Sequence, residues 1–127
     1  MNVVGNGVDI IENKRIQKSL KKKEFLNRIF TKKEIVKSKS VKNKVNYFAK
    51  RFAAKEAFVK ALGIGFRDGI NLSNIEIRNS KLGMPSIVIS KFLKKKIIKK
   101  FKLKKFKVFL SISDEKNYAI ANVIITK

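Results

Sequence analysis

The 127-residue chain contains no cysteine, no histidine and no tryptophan, a single proline, and only 9 acidic residues against 32 Lys and Arg. Without cysteine there are no disulfides, thiol nucleophiles or thiolate metal sites. Without histidine there is no imidazole base, no Ser-His-Asp triad and no ordinary zinc site. Polar chemistry must come from Asp, Glu, Lys, Arg, Ser, Thr, Tyr and the backbone. A metal would need oxygen ligands, which selects Mg²⁺ or a similar hard cation. No apolar run reaches the roughly 18 residues of a membrane span. The first residues, "MNVVGNGVDIIENKR", have no basic region ahead of their apolar run and do not read as a signal peptide. The expectation is a cytoplasmic protein with no membrane partner and one domain over residues 1–127.

The formal net charge is +23. Such a surface attracts polyanions: nucleic acid, phosphorylated ligands or an acidic protein. Abundant Lys, Asn and Ile with scarce Pro and Trp are also how an AT-biased genome writes a surface. Net charge alone therefore names no partner.

Residues 2–11 predict a strand, with Val3, Gly5, Gly7, Asp9 and Ile11 on one face. Residues 12–29 predict a helix with Ile16, Leu20, Phe25 and Ile29 inward. "TKKE", Thr31 to Glu34, fits a capping box that starts a short helix, and "KSKSVKNK" (37–44) reads as a loop or helix end. Residues 43–62 form the strongest helix, stopped by "GIG". Strands follow at 71–79 and 85–90, then an amphipathic helix at 90–102 with Leu93, Ile97, Ile98 and Phe101 inward. The segments "FKVFLSISD" and "YAIANVIIT" form two strands around "DEKN". The order predicts an α+β fold with an antiparallel sheet against a long central helix.

Of the nine acids, Glu12, Glu24, Glu34, Asp68, Glu76 and Glu115 sit where solvent, caps or basic neighbours account for them. Asp9 and Glu56 do not. Asp9 interrupts an apolar strand beside two glycines, where a backbone or a ligand comes close. On a helical wheel with Phe48 at zero, the apolar arc runs from about −80° to +40°. Glu56 falls at its edge near +80°, with Lys60 a turn on at about +120°. Arg51 and Lys55 fall inside the arc, and Ala53, Ala54, Ala57 and Ala61 leave the far side open to close packing. A local salt-bridge cluster would set three cations against one anion. A Mg²⁺ between Asp9 and Glu56, with a diphosphate against the cations, balances them better.

"GVDIIENKRI" (7–16), "FAKRFAAKEAFVKALGIGFRDGI" (48–70) and the later "LGMPSI" and "FLSISDEKNYAIANVII" resemble the holo-acyl-carrier-protein synthases, the short class of 4′-phosphopantetheinyl transferases. The resemblance spans nearly the whole chain. It implies Mg²⁺-dependent transfer of the phosphopantetheine arm of coenzyme A to a serine of apo-acyl carrier protein, in support of fatty acid biosynthesis. Asp9 and Glu56 would hold Mg²⁺, with Mn²⁺ as an alternative. Glu56 and Lys60 would be catalytic, with Lys60 on the phosphates. Arg51, Lys55, Lys60, Gly63 and Gly65 would contact coenzyme A. Arg15, Lys18 and Lys22 would meet the acidic carrier. The serine's base, Glu56 or a metal-bound water, stays open, and Asp114 has no assigned role. The resemblance also implies a homotrimer. The competing reading is a small RNA-binding or ribosome-associated protein, suggested by Phe101, Phe106 and Phe109 among lysines.

Overall fold

The computed structural model describes residues 1–63 and 70–127. Its elements are β1 (Val3–Glu12), α1 (Asn13–Ser19), α2 (Lys23–Ile29), α3 (Lys32–Ser38), α4 (Lys44–Leu62), β2 (Ile75–Asn79), β3 (Pro85–Ile89), α5 (Lys91–Phe101), β4 (Lys107–Asp114) and β5 (Tyr118–Thr126). The α+β class stands. So does the antiparallel sheet against the long helix: β1, β5 and β4 form it in that order, and β2 and β3 add a separate antiparallel hairpin. The hairpin's inward residues, Ile75 and Ile77, join the common core, so hydrophobic patterning read the same for two sheets as for one.

Helix α4 is the axis of the molecule. Asn43 caps it, its side chain accepting from the Asn46 N–H at 3.0 Å. Gly63 ends it in the left-handed region at φ 66°, a conformation that costs glycine least. At 19 residues it runs about 28 Å. Its far side meets β1 at Ala57 and Ala61, and Ala53 and Ala54 are buried as well.

The strand signal at 2–11 predicts the correct faces. Gly7 and Ile11 are buried, and Gly5 and Asp9 share their side. A Cβ on Gly7 would lie 2.1 Å from Ala57 O and 2.5 Å from Ala61 N, and one on Gly5 2.2 Å from Ala61 O. What approaches the glycines is therefore the backbone of α4, and only the absence of a side chain admits it. The same phase of β5 turns Ala119, Ala121, Val123 and Ile125 inward. The outer face of the sheet leaves Val8, Ile10, Phe109, Tyr118 and Ile120 exposed.

The helix expected over 12–29 is two helices, α1 and α2, broken at Leu20–Lys22. The break lets Ile16 of α1 and Ile29 and Phe30 beyond it all turn inward, which one straight helix would not. Thr31 forms the expected capping box of α3 with Glu34. Of the aromatics set among lysines, Phe101 and Phe106 pack against the core and Phe109 is exposed. A stacking platform for bases is not formed by them.

Candidate active site

Asp9 reaches the site because β1 presents it on the glycine face, directly above α4. Its carboxylate accepts a hydrogen bond from Lys60 Nζ at 2.9 Å, and the same ammonium donates to Val8 O at 3.1 Å. Asp9 is mostly buried (15% exposed) while Lys60 keeps half its side chain in solvent. Glu56 lies one helical turn before Lys60 and is half-buried. Its carboxyl is held above the ordinary glutamate range, first by burial and then by the charge of Asp9, with Lys60 opposing. Two carboxylates thus share a cleft between β1 and α4 with one ammonium. Asp9 takes that ammonium, and among the described residues Glu56 has no comparable partner.

This imbalance is what a divalent hard cation would relieve. Among the described residues no cluster of three or more His, Cys, Asp or Glu could enclose a metal, and those residues offer two carboxylates here. Two carboxylates with water and phosphate oxygens completing the shell suit Mg²⁺, which dehydrates reluctantly and is seldom caged by protein alone. The residues present fit the ion.

The other expected site residues separate. Lys55 is a correction. Its side chain is fully buried, and Nζ donates to Glu34 Oε1 at 2.5 Å and to Ile29 O at 2.7 Å, so it has no path to a coenzyme. Burial lowers its pKa, with Glu34 opposing. The wheel placed Lys55 inside the apolar arc correctly; what the sequence concealed is the acid that meets it there. Glu34, assigned to capping alone, is 2% exposed and also accepts from the Ile77 N–H at 2.9 Å.

Arg51 is not beside Asp9 and Glu56 either. Five positions before Glu56 it lies about 140° away around the helix. It stacks over the Tyr47 ring at 3.7 Å, donates to Asn79 Oδ1 at 2.8 Å and leaves its Nε–H buried without a partner. A cavity of about 240 Å³ opens there between Lys33, Lys37, Arg51 and Arg78. Gly63 closes α4 near Lys60, its N–H donating to Lys60 O at 3.0 Å. Gly65 lies outside the described residues. Arg15, Lys18 and Lys22 are all exposed, on α1 and the turn that follows it. Asp114 is occupied with Asn46, whose Nδ2 donates to Oδ2 at 2.7 Å.

The chain belongs to the 4′-phosphopantetheinyl transferase superfamily, whose family model matches residues 5–123. Within it, the chain's relatives are holo-[acyl-carrier-protein] synthases. The one from Pelagibacter ubique is 51% identical over 127 residues, covering 100% of this chain and 99% of its own. The Neisseria meningitidis enzyme has the same fold, with a TM-score of 0.89 at 38% identity over 99% of this chain and 100% of that one. The Helicobacter pylori enzyme, solved in complex with coenzyme A, gives 0.79 at 33% identity over 95% of this chain and 99% of that one.

Proposed function

We propose that the protein transfers the 4′-phosphopantetheine arm of coenzyme A to a serine of an apo-acyl carrier protein, releasing adenosine 3′,5′-bisphosphate, as a step that serves fatty acid biosynthesis. The observation that carries the reading is the Asp9–Glu56–Lys60 cleft in a chain of this family. Asp9 and Glu56 would hold Mg²⁺, or Mn²⁺ in its place; when bound, the ion would neutralise the coenzyme A diphosphate. Lys60, tethered to Asp9 yet half in solvent, can swing its ammonium to the phosphate oxygens that gain charge as the bond to the leaving group breaks. The serine oxygen forms a new bond to the β-phosphorus, and the bridging oxygen leaves with the adenosine bisphosphate. The serine's proton goes to Glu56 or to a water. Positioning and electrostatics supply most of such a reaction, so a site without His or Cys is sufficient.

Gly63 and Gly65 would border the coenzyme, with Lys60. Arg51, on a different side of α4 from Glu56, would reach a coenzyme phosphate only from a neighbouring copy. The homotrimer of our reading supplies such a neighbour, and the exposed apolar sheet face of Val8, Ile10, Phe109, Tyr118 and Ile120 supports a contact between copies. Arg15, Lys18 and Lys22 would meet the acidic carrier, with charge steering the encounter. No helix among the described residues is long and apolar enough to cross a membrane.

The test is direct. Purified protein with Mg²⁺, coenzyme A and apo-acyl carrier protein should add one arm's mass to the carrier, read by intact-protein mass spectrometry. No adduct on any apo-carrier tried would refute the reading.

A further inference from the structure

Lys55 and Glu34 form a buried ion pair, with 0% and 2% of their side chains exposed. The proposed chemistry does not use it. Its reach is wide. The Lys55 ammonium is held by Ile29 O at the end of α2 and by Glu34 Oε1 in α3. Glu34 in turn accepts from the backbone N–H groups of Thr31 and Ile77, so β2 is tied to the same carboxylate. The Lys55 ammonium also lies 5.1 Å from the centre of the Phe30 ring. One side chain of α4 thus anchors it to three other elements.

A buried pair of this kind is weak evidence for stability, since apolar residues of similar volume often do as well or better. What the pair supplies that apolar packing does not is direction. Residues 55, 56 and 57 follow one another around the helix at about 100° steps. Lys55 is pinned by Glu34, and Ala57 lies under the backbone of β1 at Gly7. Glu56 projects between these two contacts. The glycine contact fixes how closely α4 approaches β1, but it is made of smooth surfaces and resists rolling poorly. Directional contacts hold α4 at Asn46, Tyr47, Arg51 and Lys60 as well, and Lys55 makes the fully buried charged one, on the side of the helix next to Glu56. Side-chain tips lie about 5–6 Å from the helix axis, so a roll of about 10° displaces the Glu56 carboxylate by roughly 1 Å. An error of that size can cost about 10²-fold in rate.

We infer that Glu34 and Lys55 are positioning residues, a strut that sets the rotation of α4 and thereby aims Glu56 across the cleft at Asp9. This rests on the transfer reading given above, so its test includes a measurement that does not.

Lys55→Met alone leaves the Glu34 charge buried without its cation and should destabilise the fold. The double variant Glu34→Gln/Lys55→Met removes both charges and should recover most of the wild-type melting temperature. Its kcat for arm transfer should nevertheless fall about 10- to 100-fold, with KM for coenzyme A within about twofold of wild type, because the coenzyme's contacts are left in place. Mn²⁺ titrated in the presence of coenzyme A and without carrier, followed by electron paramagnetic resonance, should bind several-fold more weakly. A double variant with wild-type melting, kcat and Mn²⁺ affinity overturns the inference and leaves the pair as packing. Should that variant not fold, Glu34→Asp decides. It keeps the charge but shortens the strut by one methylene, and a folded protein with unchanged kcat and Mn²⁺ affinity overturns the inference equally. If the wild type itself transfers no arm, the functional reading falls, and the Mn²⁺ titration alone tests the strut.

Discussion

The Lys60 ammonium stands 2.9 Å from the Asp9 carboxylate and one helical turn beyond Glu56. Among the described residues one cation therefore serves a site with two acids, and burial and Asp9 hold the acid left over, Glu56, above the ordinary glutamate range. The consequences can be measured.

Glu56→Gln should abolish transfer and stabilise the metal-free protein. The carboxyl's folded pKa is raised by burial and by Asp9. Below the unfolded pKa both states are protonated and the shift costs nothing. As pH rises from there through the folded value, ionisation destabilises the fold, and at neutral pH that cost is present in full. The amide never ionises, so the variant should melt higher than wild type at pH 7 and at the same temperature in acid. Mg²⁺ with coenzyme A should raise the melting temperature of wild type and leave the variant unmoved. Scanning calorimetry at pH 4 and pH 7, with and without the ligands, checks all of this; equal Mg²⁺ shifts in the two proteins would remove Glu56 from the metal.

Lys60→Met should lower kcat by about 10²-fold, the usual effect of removing one charge-stabilising donor. Because half of Lys60 is in solvent, its salt bridge contributes little to stability. The melting temperature should stay close to wild type, which separates a chemical role from a structural one. Steady-state kinetics with a saturating carrier give the answer.

Gly7→Ala places a methyl group 2.1 Å from Ala57 O and 2.5 Å from Ala61 N. Both are backbone atoms of a helix and cannot swing aside. Destabilisation of about 3 kcal/mol or more is expected, at the upper end of overpacking costs. In whatever fraction stays folded, β1 must lift from α4 and take Asp9 with it, so activity should fall further than the folded population. Urea unfolding alongside the transfer assay measures both.

Replacing Arg15, Lys18 and Lys22 together with Glu should raise KM for the carrier at least tenfold and leave KM for coenzyme A unchanged. All three are exposed and make no contact with the Asp9–Glu56 cleft. The wild-type rate at low carrier concentration should fall as salt is added, and that of the triple variant should not. An unchanged KM for the carrier would move the docking surface elsewhere.

Much of this was legible in the chain itself. Alternation fixed which face of β1 carries Asp9, and the wheel put Glu56 at the margin of the apolar arc; together they locate the cleft. The caps at Thr31 and Gly63 were readable because capping is decided within four residues. Glu34 was not, for a related reason. Its capping box is a complete local explanation, whereas its buried partners, Lys55 and Ile77, lie 21 and 43 residues away. The break between α1 and α2 was missed although it leaves a mark: Leu20 and Phe25 are five residues apart, a jump of about 140° around a helix. The separation of the β2–β3 hairpin was hidden because buried strands carry the same pattern in either sheet.

The contact of Gly5 and Gly7 with the helix backbone sets a rule for how this protein can vary. Along β1, tolerance to substitution should alternate residue by residue. Gly5 and Gly7 are closed even to the smallest side chain. Asn6 and Val8, their immediate neighbours, project from the other side and can accept many. A complete mutational scan of Val3–Glu12 would trace that period of two, and it would reveal the proximity of strand and helix without any coordinates.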